Sequence, residues 1–245
     1  MKKLGSILAS AAFWWLALCG CEERHAAECK LECSDRGHCT RRDGKCVASE
    51  SDDCKRSVAC KKFGRCALLG DACQATDAIC KTFDGCSAEG FCGVRAGSCA
   101  ATDKAHCQPT RGCKEDGRCT PAEGLCLPQA DDCRASQACT KYGQCSSDGR
   151  HCFIGSSADC ELGEVCKLQG FCTFRDGRCE LTSDADCQKT QGCQRQGVCT
   201  YIADNHRSGT GKQPGCIING SDDCKNSLTC KEKGNCRFRS GVCAK

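Results

Sequence analysis

The sequence predicts a string of small disulfide-rich repeats of α+β class: eight tandem units of short helix plus β-hairpin in an elongated array. Three observations predict it. Cysteine supplies 34 of 245 residues, above the roughly 8–10% that marks a disulfide scaffold. Aligned on cysteine, the chain repeats the spacing C-x5-C-x5-C-x6-C, with eight copies starting at Cys29, Cys54, Cys80, Cys107, Cys133, Cys160, Cys187 and Cys224. Finally, Leu, Ile, Val and Phe are too sparse for a conventional core of this length, so crosslinks must take the place of burial. Such bonds persist in an oxidising compartment.

The first segment is a leader, residues 1–20. Lys2 and Lys3 are its positive end, and the apolar stretch Leu4–Leu18 is 15 residues long, short for a membrane span. It ends at Leu18-Cys19-Gly20-Cys21, the closest cysteine pair in the chain. Residues 21–28 then form a short tether, roughly 25 Å at full stretch. From Cys29 onward there are 32 cysteines, an even number that can pair completely.

The repeats occupy residues 29–245. Their cysteines are Cys29, Cys33, Cys39 and Cys46; Cys54, Cys60, Cys66 and Cys73; Cys80, Cys86, Cys92 and Cys99; Cys107, Cys113, Cys119 and Cys126. The second half continues with Cys133, Cys139, Cys145 and Cys152; Cys160, Cys166, Cys172 and Cys179; Cys187, Cys193, Cys199 and Cys216; Cys224, Cys230, Cys236 and Cys243. Two copies deviate: three residues separate Cys29 from Cys33, and sixteen separate Cys199 from Cys216.

Most copies open on Ser or Thr followed by acid, as in "SDDC" (51–54) and "TDAIC" (76–80), an N-cap with negative charge in the first turn. A Gly follows at 64, 117, 143, 170, 197 and 234, a natural helix end. One helix of about ten residues per repeat is expected between them. Two cysteines six apart on a helix point about 120° away from each other, which would put the first cysteine at a fraying helix start. The second half of each copy reads as a hairpin: "CTRRDGKC" (39–46) carries Asp-Gly between short strands. That turn pairs Arg41 with Cys46 and puts Cys39 and Cys46 on one face. Four cysteines allow three pairings; the even count per copy favours bonds inside the repeat. Eight units in an extended array would reach on the order of 100–150 Å.

The leader resembles a bacterial lipoprotein signal. Leu18-Cys19-Gly20-Cys21 looks like a lipobox, with an aliphatic residue, a small residue and then the modified cysteine. The resemblance implies lipidation of Cys21, cleavage after Gly20, and a membrane partner through the lipid. Cleavage after Cys19 by ordinary signal peptidase is the alternative; it leaves 33 cysteines, one unpaired. With its repeats, the chain resembles the cysteine-rich repeat lipoproteins of bacterial genomes, notably of myxobacterial type. This implies a lipid-anchored protein of the envelope, at the outer membrane or cell surface, with a structural, adhesive or protein-binding role. The alternative is a secreted inhibitor or toxin-like binding protein without lipid.

Other classes find little support. Without the leader lysines, 33 basic residues face 31 acidic ones, interspersed, so nucleic acid is not expected as a partner. C-x-x-C is absent, which disfavours zinc ribbons and thiol exchange. His25, His38, His106, His151 and His206 fall at unrelated repeat positions and suggest no metal set. The Asp pairs at 52–53, 131–132 and 222–223 sit at helix starts and read as caps, not calcium loops. No nucleophile elbow, phosphate loop or H-E-x-x-H occurs. No enzyme, cofactor or small-molecule substrate is therefore expected. The distinctive candidate is the insertion 200–215, a possible binding loop at a hairpin tip with Tyr201, His206, Arg207 and Lys212. Phe63, Phe83 and Tyr142, with Phe91, Phe171, Phe174 and Phe238, are expected to plug the small cores of their own units.

Overall fold

The computed structural model describes residues 28–203 and 213–245. The leader, Cys21, His25, His206, Arg207 and Lys212 lie outside the described residues. Within them every repeat folds as expected, with helical residues and then a two-stranded antiparallel hairpin. The Arg41 to Cys46 pairing is present, flanked by Thr40 with Val47 and Arg42 with Lys45. In repeats 1, 3, 4, 6 and 8 both turn residues have positive φ, as in Asp43 (+50°) and Gly44 (+76°). That is the twist-matched turn for a two-residue hairpin. Repeat 5 differs. Its "SSDGRH" turn is held by Asp148, whose carboxylate accepts from the backbone N–H groups of His151 and Arg150, both at 2.7 Å. These donors lower the Asp148 pKa below the ordinary carboxylate value.

Sixteen disulfides use every described cysteine, and all of them close within a repeat. The pairing is uniform. The first cysteine joins the fourth, 19 residues on in most copies, and the second joins the third, six residues on. The outer bond ties the helix start to the returning strand. The inner bond ties the helix end to the outgoing strand. Closed loops of this size each contribute about 2–3 kcal/mol, mainly by restricting the unfolded chain. The first cysteine is 0% exposed in all eight copies, so the core of each unit is largely cystine.

The helix is not continuous, which corrects the expectation of one ten-residue helix with a frayed start. From the second repeat on, the two cysteines lie on two short helices. In repeat 2 these are Ser51–Arg56 and Val58–Phe63, broken at Ser57 by an extended backbone (φ −69°, ψ 154°). Ser57 Oγ donates to the Cys54 carbonyl at 2.7 Å and accepts from the Cys60 N–H at 3.0 Å. One hydroxyl thus ends the first helix and caps the second. Thr110, Ser136, Thr190 and Ser227 make the same two bonds. All five are nearly fully buried. The break reorients the second cysteine, so no fraying is needed to reconcile a sixfold spacing with one compact unit. Repeat 1 lacks the break: Cys29 precedes the single helix Lys30–Arg36, and Cys33 lies inside it.

The opening Ser or Thr serves the role expected of it only in part. Thr76 caps its helix by accepting from Ile79 N–H. Ser221 sits inside the first turn instead, and its Oγ accepts from the Phe238 N–H of the hairpin at 3.1 Å.

Successive repeats are joined by three recurring contacts. A buried small residue two places after the fourth cysteine donates its N–H to the next hairpin turn: Ala48 to the Asp71 carbonyl, Ala75 to Gly97 and Ala101 to Gly124. A left-handed Gly ends the helical part of each copy, and seven of the eight are buried. At Gly143 an added Cβ would lie 2.8 Å from the Asp159 carbonyl oxygen and 3.1 Å from Cys160 Cα, backbone of the next repeat. Gly is therefore required twice at this place, for its φ and for the close approach.

The third contact is a latch. The residue after the third cysteine donates to the Asp before the first cysteine of the next repeat. The pairs are Thr120 to Asp132 (2.7 Å), Ser146 to Asp159 (2.7 Å), Thr173 to Asp186 (2.9 Å) and Thr200 to Asp223 (2.9 Å). The same carboxylates accept a backbone N–H: Gln129 to Asp132, Gly155 to Asp159, Thr182 to Asp186 and Asn219 to Asp223. The second Asp of the 131–132 and 222–223 pairs is thus more than a cap; it reaches back to the preceding hairpin. Where Ala67 replaces the hydroxyl, Ile79 replaces the Asp.

Two compact units emerge. One holds residues 28–106 with Glu123–Leu125, the other Cys107–Ala122 with Cys126–Lys245. The latches lie in the second. In the first, Thr40 Oγ1 meets Ser49 Oγ at 2.6 Å, and Thr102 Oγ1 lies 3.4 Å from His106 Nδ1.

Candidate interaction surface

The disulfide scaffold fixes what each unit can display. The insertion of repeat 7 falls in sequence between the two strands of its hairpin. Thr200–Ile202 pairs with Gly215–Ile217, so the added residues join two paired strand ends, with Ile202 opposite Gly215. The Cys187–Cys216 bond anchors the returning strand. Tyr201 is half-buried, and its N–H donates to Asp184 Oδ1 at 2.6 Å. Tyr201 therefore belongs to the base of the loop and is tied to its own repeat.

The aromatics divide, which corrects the expectation that all plug their own units. Phe83 and Phe91 do so, packing with Val94 on Ala75, Cys80 and Cys99. Phe83 replaces the Ser or Thr at the helix break, so it is not equivalent to Phe63 and Tyr142. Those two precede the left-handed Gly and are 51% and 57% exposed. Phe238 is also exposed, while Phe171 and Phe174 are half-buried. Leu31, Leu162 and Leu168 add further exposed apolar side chains on helices.

Each unit holds a cleft among its described residues. In the second unit a cleft of about 460 Å³ is bounded by Glu161, Lys167, Lys189, Gln191 and Gln194. There Lys189 Nζ and Glu161 Oε1 are paired at 2.6 Å. In the first, a cleft of about 310 Å³ runs across repeats 1, 2 and 3, and Arg36, His38, Arg65 and Gln74 supply its polar side chains. Sequence reading by motif did not single out Arg36 or Arg65. Stacking the eight copies in register would have shown them, because the same columns elsewhere are mostly uncharged.

Among the described residues no group of three or more His, Cys, Asp or Glu is placed to hold a metal ion. No described helix is long and apolar enough to cross a membrane. His38, His106 and His151 each sit beside a different partner, Glu32, Thr102 and Asp148. Every described cysteine is in a disulfide, so none offers a thiolate.

No protein-family model matches the chain, and neither a curated protein nor a solved structure matches it.

Proposed function

We propose that this chain is a lipid-anchored protein of the bacterial envelope or cell surface that presents disulfide-crosslinked repeats for protein contact, without catalysis. One observation carries the reading. The scaffold consumes all 32 cysteines from Cys29 onward, so it asks nothing of Cys21. Cys21 stands where a lipobox places the modified residue, after Leu18-Cys19-Gly20. An extra thiol kept outside a saturated disulfide scaffold has a ready role as an anchor, and an oxidising location suits both. The insertion 200–215, with His206, Arg207 and Lys212, and the exposed Phe63 and Tyr142 are the surfaces offered to a partner.

The test is fractionation of the full chain and its Cys21→Ser variant in a bacterial host. The parent should follow the membranes and take up labelled fatty acid, while the variant stays unprocessed and unlabelled. An unlabelled, freely soluble parent would instead support the secreted, inhibitor-like alternative.

A further inference from the structure

We propose that the cleft across repeats 1, 2 and 3 is a binding site for a phosphate group. Arg36 ends the helix Lys30–Arg36, His38 follows across the left-handed Gly37, and Arg65 holds the place equivalent to His38 in repeat 2. The three come together on a cleft of about 310 Å³ whose lining contains no carboxylate. That volume suits a small ligand or the charged end of a larger one. The nearest acid to the trio is Glu32, whose Oε2 lies 3.5 Å from His38 Nδ1.

The two guanidinium groups keep unused donors. Arg36 is exposed and has no ion pair or hydrogen bond among the described residues. Arg65 spends one N–H on Ser98 Oγ at 2.7 Å, which fixes its stem and leaves the rest of the guanidinium. Guanidinium groups suit phosphate because several N–H donors lie in one plane on a delocalised charge. Donors from two segments, Arg36 and His38 on one and Arg65 on the other, also match a group with oxygens in several directions.

The scaffold does not require this charge. The equivalent three positions are Phe63, Arg65 and Phe91 at the next junction, then Glu89, Phe91 and Arg118, then Asp116, Arg118 and Gln144. Later junctions hold Tyr142, Gln144 and Phe171, then Gln169, Phe171 and Val198, then Gln196, Val198 and Asn235. None carries more than one cation, and two carry an acid. The inference stands whether or not the chain is lipid-anchored.

The experiment titrates the disulfide-intact chain at low ionic strength with inorganic phosphate, following backbone amide shifts. A parallel arm measures binding to vesicles containing phosphatidylglycerol against vesicles of phosphatidylcholine alone, where choline offsets the headgroup charge. Saturable shifts should centre on Arg36, His38 and Arg65, or anionic vesicles should be retained selectively; the first outcome indicates a free phosphate ligand, the second a headgroup. In either arm Arg36→Ala should weaken binding roughly tenfold or more, with the remaining spectrum unchanged. Arg65→Ala should act likewise, and Lys167→Ala in the other unit should not. No binding in both arms, or binding indifferent to Arg36→Ala and Arg65→Ala, would overturn the proposal.

Discussion

In five of the eight repeats a single buried hydroxyl group sits where one helix ends and the next begins. Ser136 is 1% exposed, donates to the Cys133 carbonyl and accepts from the Cys139 N–H. Ser136→Ala would leave the buried Cys139 N–H unanswered, while the Cys133 carbonyl keeps the Ser136 N–H at 3.0 Å, and loss of such a cap costs about 1–2 kcal/mol. Amide exchange at Cys139 should therefore quicken about 5- to 30-fold, while Ser136→Thr leaves it unchanged, since Thr110 and Thr190 do the same work. Unchanged exchange in the Ala variant would show that the disulfides alone hold the break; Phe83 and Gly163 keep the same backbone without a hydroxyl. This residue was visible in the sequence as C-x-x-[ST]-x-x-C in five copies. Reading the segment as one continuous helix hid it. Helix periodicity assumes a straight axis, and a buried Ser that serves two carbonyl–amide partners breaks that assumption.

At the scale of the element, the question is how one repeat recognises the next. The hairpins were legible because Asp-Gly dictates register, and Arg41 does face Cys46. The left-handed Gly was legible as a helix end, yet its second role as a contact surface was not, because closeness to another repeat leaves no local signature. The two roles separate by substitution. Gly143→Ala should be destabilised by the strain of a positive φ, about 1–2 kcal/mol, and further by a clash with the Asp159 carbonyl. Gly234 has φ +70° but nothing within 4 Å of an added Cβ, so Gly234→Ala should show the strain alone. Denaturant unfolding with disulfides intact measures the difference; equal losses would mean that the junction yields. The latch makes a sharper case. Thr173→Val and Asp186→Asn, alone and together, should show a coupling energy of about 0.5–3 kcal/mol across two repeats. Additive losses would mean that Asp186 serves only its own helix start, as the Ser-acid pattern suggested.

For the whole molecule, cysteine counting carried most of the prediction. An even set in each copy implied closure within repeats, and the uniform first-to-fourth and second-to-third bonds follow that rule, although the choice among three pairings did not follow from spacing. From the second repeat on, the helix break points one cysteine at each strand; repeat 1 makes the same pairing without a break, with its first two cysteines four apart. The interaction surfaces were less legible. Tyr201 turned out to be a strand residue bonded to Asp184, and the Arg36–His38–Arg65 cleft arises only when three repeats are brought together. The central claim is that all the repeat cysteines are consumed in bonds while Cys21 is kept for lipid. Intact mass spectrometry of the protein from its native host, before and after reduction, tests this most directly. The account predicts a chain beginning at Cys21 with added acyl mass and a gain of 32 hydrogens on reduction. A chain beginning at Gly20 without lipid, or a smaller gain betraying free thiols, would contradict it.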